Sequence, residues 1–161
     1  AYYCIYLLAD KYNVVTLQNL LKKHLKERIS SLNLNDALDF YSFFHDLDNQ
    51  EIIEFCVKTF MFNIENLIYM TEWYKFDKEL LKKLLADSSL IVSDELVLFH
   101  ALCRWLLNDQ FDPDRLTNFE SNACELLPLI RFSQMYETQL FLIENSKFMR
   151  DAPELVKETL R

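Results

Sequence analysis

The stretch SDELVLFHALCRWL, residues 93–106, indicates the fold class because its apolar residues recur at helical spacing. On a helical wheel of about 100° per residue, they and the following leucine cover an arc of about 200°. A helix with so wide an apolar arc is expected to be mostly buried. Ser93 is expected to cap it, with Asp94 and Glu95 beside the positive end of its dipole. The arc comprises Leu96, Leu98, Phe99, Leu102, Cys103, Trp105, Leu106 and Leu107.

The same stretch places His100 and Cys103 one helical step apart, which raises the question of a metal site or a nucleophile. Two ligands are too few for zinc, which takes four, and His24 and His45 lie in other predicted helices. Cys103 falls inside the apolar arc, where a thiol is inert rather than nucleophilic. We therefore predict no catalytic residue, no metal ligand and no cofactor-binding residue in this stretch.

Helical periodicity extends along the rest of the chain. Asp48 with Glu51 resembles an N-terminal capping pair, and Pro113 suits the first turn of another helix. Residues 88–92 are expected to be extended, and no sheet is predicted. The sequence thus predicts an all-α fold of about ten helices. The clearest are residues 2–9, 14–29, 35–46, 48–62, 77–87, 93–108, 113–127, 131–145 and 153–161.

Glycine is absent from all 161 residues, although ordinary usage would give about eleven. Glycine supplies most cheaply the positive φ angles and close backbone approach that phosphate-binding loops and nucleophile elbows require. The sequence therefore excludes a Walker loop, a dinucleotide-binding GxGxxG motif and a GxSxG elbow. No clustered titratable residues remain to support an enzyme, and paired carboxylates such as Glu95 with Asp94 are expected to be exposed at helix starts.

The formal net charge of −8 argues against a nucleic-acid surface, which needs clustered positive charge. The basic run KKHLKER, residues 22–28, alternates with Leu21, Leu25 and Ile29 and is interpreted as a solvated helix face. The acidic run NDQFDPD, residues 108–114, lacks the oxygen ligands of a calcium loop. Asp112 is better explained as a helix cap.

Four cysteines, with no CxxC pair, predict free thiols rather than a disulfide scaffold or a zinc site. No apolar run reaches the length of roughly eighteen residues that a membrane span requires. We expect a cytoplasmic or nuclear protein, with secretion less favoured. Because the chain begins at Ala1 with no polar lead-in, we expect it to be part of a larger protein.

The order of these motifs resembles the BACK domain that follows a BTB (POZ) domain, together with the last BTB helices. LLADKYNVVTL is similar to the end of a BTB domain, and residues 34–68 are similar to the first BACK helices, the three-box of cullin adaptors. SDELVLFHALCRWL and LLPLIRF resemble two further family segments, with Ser133 where proline commonly follows. The resemblance implies an antiparallel array of helical hairpins, with BTB helices in residues 1–33 and a BACK domain in residues 34–161.

This resemblance implies a protein-interaction scaffold that dimerises through its BTB domain and, in many members, recruits cullin-3 into a ubiquitin ligase. The protein substrate would be bound elsewhere in the full-length chain. In cullin-binding relatives the three-box helps to receive the N-terminal extension of cullin-3. We predict Leu38, Tyr41, Ser42 and His45, on the helix predicted at residues 35–46, as partner-binding residues. The alternative, that they pack against the second BACK helix or the BTB helices, stays open at this point.

A second function class is a scaffold that works without cullin, as a transcriptional co-regulator or a cytoskeletal organiser. The sequences on either side of this chain would discriminate the two classes, because cullin binders commonly carry a hydrophobic-x-acidic signal in the BTB domain.

Overall fold

The computed structural model describes residues 2–30 and 34–160, and every regular element in those residues is helical. The prediction of an all-α fold is confirmed. Single turns of 3-10 helix occur at Thr71–Lys75, Leu127–Leu129 and Phe132–Gln134. The α-helices are α1 (Tyr2–Lys11), α2 (Val15–Ser30), α3 (Leu34–Asp46), α4 (Gln50–Phe62), α5 (Ile64–Leu67), α6 (Lys78–Ala86), α7 (Glu95–Leu106), α8 (Asp114–Thr117), α9 (Phe119–Leu126), α10 (Glu137–Glu144), α11 (Lys147–Asp151) and α12 (Glu154–Thr159).

The contacts divide the chain into two compact units, residues 1–62 and residues 63–161. The predicted BTB–BACK boundary, between residues 33 and 34, adjoins residues 31–33, which lie outside the described residues. That boundary stays a prediction.

In the first unit α1 packs against α2, α3 packs against α4, and α2 contacts both α3 and α4. Leu21, Leu25 and Ile29 are buried along one side of α2, and Lys23 and His24 are exposed. Glu27 and Arg28 are exposed as well, whereas Lys22 and Lys26 are half-buried, so the interpretation of residues 22–28 as a solvated helix face holds for only part of the run.

Two turns in this unit use residues with positive φ in place of glycine. Asn13 has φ 52° after α1, and Asp48 has φ 50° after α3. In each turn the following amide donates to a carbonyl five residues earlier, Val14 N to Ala9 O at 2.8 Å in the first. This is the Schellman ending of a helix, which glycine usually serves.

The turn after α3 corrects the expected capping pair of Asp48 and Glu51. Asp48 ends α3, and the Asn49 side chain caps α4 by accepting a hydrogen bond from Ile52 N at 3.3 Å. Glu51 points instead to α2, where its two oxygens pair with Lys22 at 3.0 Å and Lys26 at 2.6 Å.

In the second unit, α7 contributes a large part of the core. Seven residues of the predicted apolar arc behave as expected, since none of them is exposed. The exception is Leu107, which is 56% exposed and continues the side of α7 that carries the exposed residues His100 and Arg104. The predicted cap was also wrong: the Asp94 side chain accepts from Leu96 N at 2.8 Å, and Ser93 N donates to Glu65 instead.

Both tryptophans join elements of this core through their indole N–H groups. Trp73 Nε1 donates to Ala101 O and Trp105 Nε1 donates to Phe76 O, each at 2.9 Å. Arg115 of α8 is 2% exposed and lies 4.0 Å from the Trp105 ring centre. Its guanidinium donates to the carbonyl of Tyr74 at 2.9 Å, and weaker bonds reach Phe76 and Trp105. The buried Arg115 guanidinium therefore joins three backbone segments, which are its own helix α8, residues 74–76 and the end of α7.

Candidate partner-binding surface

The four predicted partner-binding residues lie on α3, but the structure does not bring them to one exposed face. Leu38 and Tyr41 are buried, with 9% and 4% of their surface exposed, whereas Ser42 and His45 are exposed. The ring of Tyr41 packs edge-on against Phe60 of α4, with centroids 6.2 Å apart. Two of the four residues are therefore packing residues of the α3–α4 pair.

Leu38 and Tyr41 are buried because neighbouring helices cover one side of α3. Ala37, Phe40, Tyr41 and Phe44 recur every three or four residues and are all buried, so one side of α3 is committed to the core. Phe44 is 0% exposed and contacts the ring of Tyr6 on α1, with centroids 4.9 Å apart.

The opposite side of α3 forms a polar exposed strip. We call the residues Asp39, Ser42, His45 and Asp46 the α3 strip, because all four are exposed and follow one another at helical spacing. His45 also lies beside Tyr41, with ring centroids 5.7 Å apart, so the imidazole rests on the edge of the core. Sequence reasoning identified Ser42 and His45 but not the two aspartates, whose exposure follows from their spacing relative to the buried residues.

In the second unit, His100 is exposed on α7 and Cys103 is buried. Burial raises the pKa of the Cys103 thiol to about 12, and that of Cys56 in the first unit to about 12. A thiol with such a pKa is almost wholly protonated at neutral pH and is a poor nucleophile or metal ligand. The two residues that first suggested a His–Cys site are thus divided between the surface and the core.

Glu95 was expected at the surface, and that prediction was wrong, because only 6% of it is exposed. Its Oε1 atom lies 3.8 Å from Arg131 Nη1, and its Oε2 accepts from Arg131 N at 3.4 Å. The Arg131 guanidinium also donates to the carbonyls of Leu90 and Asp87, at 2.6 and 3.0 Å. The segments SDELVLFHALCRWL and LLPLIRF therefore meet through this glutamate and this arginine, and the pair fastens the non-helical connection before α7.

The acidic run 108–114 acts locally. Asp112 Oδ1 accepts from Asp114 N at 3.0 Å, but α8 begins at Asp114 and its capping position is Pro113, so the prediction that Asp112 caps the helix was wrong and its carboxylate makes a turn contact instead. Across residues 2–30 and 34–160, no three His, Cys, Asp or Glu side chains come together as a cation site would require. Over the same residues, no helix combines the length and the apolar character needed to cross a membrane.

The family model of BACK, described as BTB And C-terminal Kelch, matches residues 37–144. Because this match covers more than half of the chain, the protein belongs to the BACK family.

Curated relatives support the same assignment. The chain is 29% identical to human BTB/POZ domain-containing protein 17 and 28% identical to the mouse protein of that name, over 137 residues in each case. The Xenopus tropicalis protein of the same name is 25% identical over 138 residues. Each alignment covers 85% of this chain and 27–28% of the relative. The chain therefore spans about a quarter of the length of these relatives.

Proposed function

We propose that this chain is a protein-interaction scaffold that contributes geometry rather than chemistry. Its membership of the BACK family is the observation that carries this proposal. The buried Arg115 and the half-buried Arg131 of its second unit agree with it, because both side chains are occupied in holding backbone segments together. Catalytic, cofactor and metal roles have no part in the proposal.

At a finer level, we propose that the full-length protein is a substrate adaptor of a cullin-3 ubiquitin ligase. Residues 34–68 resemble the three-box of such adaptors, and α3 and α4 pack there as a helical pair. The α3 strip supplies the exposed residues for this contact, with Ser42 and His45 near its centre. Tyr41 and Leu38 support the strip from below by packing in the core. Self-association would occur through the BTB domain, and substrate would bind elsewhere in the full-length chain.

The test is calorimetric titration of the full-length protein with the N-terminal domain of cullin-3. Binding is expected, and Ser42→Arg should weaken it at least about tenfold because a long charged side chain would occupy the centre of the contact. The matched control is Asn19→Arg, which places the same side chain on an exposed position of α2. Tyr41→Ala is unsuitable as a probe, since removing a buried ring costs about 3–5 kcal/mol of stability by itself.

Two outcomes would reject the adaptor proposal. Absence of heat at tens of micromolar would show that the protein does not bind cullin-3. Equal binding by wild type, Ser42→Arg and Asn19→Arg would place the contact away from the α3 strip.

A cullin-independent scaffold is the second candidate, and the burial of Leu38 and Tyr41 favours it. With Leu38 and Tyr41 packed inside, the predicted contact surface loses its apolar residues. The α3 strip that remains is polar. Under this proposal the full-length protein oligomerises and positions other partners without a ligase. For either function we propose a cytoplasmic or nuclear location, which the four free cysteines support.

A further inference from the structure

An open groove of about 930 Å³ lies in the second unit, and none of its lining residues belongs to α3 or α4. One wall is a single face of α7, formed by Val97, His100, Cys103, Arg104 and Leu107. Val97, His100, Arg104 and Leu107 are three or four residues apart, so they line up along the helix. The opposite side is supplied by α8, α9 and α11.

Aromatic rings give this groove a defined base. Phe148 of α11 lies 5.9 Å from Phe119 of α9 and 6.0 Å from Phe99 of α7, measured between ring centroids. Phe99 is fully buried, and Phe119 and Phe148 are half-buried with their remaining surface available to the groove. Rings held by one another in this way form a preformed apolar surface, as ligand-binding sites commonly do.

Apolar residues at the edge of the groove are unusually exposed. Tyr69 is 72% exposed, Leu107 is 56% exposed and Leu116 is 43% exposed. All three contribute to its lining. They add exposed apolar surface beside the aromatic base, and exposed apolar surface gathered at one groove is typical of interaction sites.

The charges around the groove differ in sign from the protein as a whole. The chain carries a formal net charge of −8, yet the lining contains Arg104 and Lys147 against one carboxylate, Asp151. Arg104, Lys147 and Asp151 are exposed. Arg104 also donates to Ile68 O at 3.3 Å, which fixes its guanidinium near the groove. A partner with acidic side chains is complementary to this border.

We propose that the groove docks an acidic amphipathic helix from a partner protein. The wall from Val97 to Leu107 extends about 15 Å at 1.5 Å per residue, which matches about three turns of helix. Apolar side chains spaced three, four and seven residues apart would lie on Phe119, Phe148 and the exposed leucines, and a carboxylate would meet Arg104 and Lys147. This proposal goes beyond the one for cullin-3 and is independent of it, because it concerns other residues.

The experiment is a selection of 14-residue helix-forming peptides from a display library against the complete chain, followed by fluorescence anisotropy with the selected peptides. The selected sequences are expected to share apolar residues at helical spacing and to carry Asp or Glu beside them. Micromolar dissociation constants are expected.

Matched variants locate the binding site. Lys147→Glu should weaken binding at least about fivefold by reversing a charge at the groove. Lys83→Glu makes the same change on α6, at an exposed position outside the groove, and should leave binding unchanged. Leu116→Ser should weaken binding about tenfold, whereas Leu142→Ser on the exposed side of α10 should not. Because all four positions are exposed, circular dichroism should show that every variant keeps its helices.

Three results would overturn the proposal. The first is a selection that yields no binder below about 100 µM. The second is a set of binders whose affinity is the same for Lys147→Glu and Lys83→Glu. The third is light scattering that shows a dimer dissociated by Leu116→Ser, because a second copy of the chain would then occupy the groove.

Discussion

At the scale of single residues, Arg115 shows how far a sequence can mislead about burial. Arginine ordinarily lies at the surface, and DPDRLTNFE carries no signal that this side chain enters the core. Its burial becomes possible only because the carbonyls of Tyr74, Phe76 and Trp105 are brought together by distant segments. Burial lowers the pKa of the guanidinium, and the Asp112 carboxylate acts in the opposite direction.

We expect Arg115→Met to destabilise the protein by about 1–3 kcal/mol, because the Tyr74 carbonyl loses the shortest of the guanidinium hydrogen bonds, whereas the Phe76 and Trp105 carbonyls keep Trp105 Nε1 and Asn108 N as donors. Arg115→Lys should recover little of this loss, since an ammonium group lacks the planar fork that reaches several carbonyls and stacks on Trp105. Urea denaturation followed by circular dichroism measures the free energy of unfolding of both variants. Arg150→Met, at an exposed position of α11, is the control and should change stability by less than about 0.5 kcal/mol. Equal urea midpoints for Arg115→Met and Arg150→Met would contradict the role of Arg115 in holding backbone segments together.

The cap of α7 and the turn after α3 are smaller errors of the same kind. Ser93, Asp94 and Asp48 all have side chains that can cap a helix, and the sequence alone does not select among them. The choice depends on tertiary contacts: Gln139 Nε2 donates to Asp94 Oδ1 at 3.0 Å, and Ser93 N donates to Glu65 Oε1 at 2.6 Å. Residue type restricted the candidates, and the packing of neighbouring elements decided between them.

At the scale of helices, periodicity predicted most of the elements correctly because their apolar residues recur over two turns or more. It failed for α11, which has five residues, and it merged residues 131–145 into one helix although residues 132–134 form a 3-10 turn and α10 begins at Glu137. It also shows only which side of a helix is apolar. It cannot tell which apolar side chains a neighbour will cover. Tyr41 and Leu107 illustrate this in opposite directions, since α4 covers the ring of Tyr41, whereas Leu107 follows the exposed residues His100 and Arg104 along α7 and is 56% exposed.

The contact between α2 and α4 through Glu51 should depend on pH. Hydrogen bonds from Lys26 and then Lys22 lower the pKa of Glu51 below its usual 4.5. A carboxylate whose pKa is lower in the folded state stabilises that state above the unfolded pKa, and the contribution is lost as the pH falls through the folded value. Because the pair is largely exposed, its effect is small, about 0.5–1 kcal/mol.

Accordingly, we expect Glu51→Gln to be less stable than wild type at pH 7, with a difference that shrinks as the pH falls below 4.5. Urea titrations at a series of pH values give the difference directly. Glu54→Gln, also exposed on α4, should be as stable as wild type throughout. A difference for Glu51→Gln that stays constant over the whole series would refute the ion-pair explanation.

At the scale of the whole molecule, each compact unit has its own buried residues. The second unit contains both tryptophans, Arg115, and the backbone groups that these side chains contact. Such a unit has the requirements of an independently folding domain.

We therefore expect a fragment comprising residues 63–161 to fold by itself. It should show a helical circular dichroism spectrum and a single cooperative transition in urea, with tryptophan fluorescence and circular dichroism giving the same midpoint. The complete chain is the reference. A fragment that is helical but melts gradually, or whose two signals give different midpoints, would show that this core depends on residues 1–62.

The turns at Asn13 and Asp48, in a chain without glycine, also have a consequence for the unfolded protein. Each glycine that is absent narrows the range of backbone conformations open to the unfolded chain, an effect worth about 0.4–1 kcal/mol relative to alanine. The corresponding cost is local and small, because Asn and Asp tolerate the left-handed region better than other residues, for which it costs roughly 1–2 kcal/mol. Strain at a few turns therefore lowers the stability of the folded protein locally. The absence of glycine raises that stability along the whole chain, because the unfolded chain has fewer backbone conformations to lose on folding.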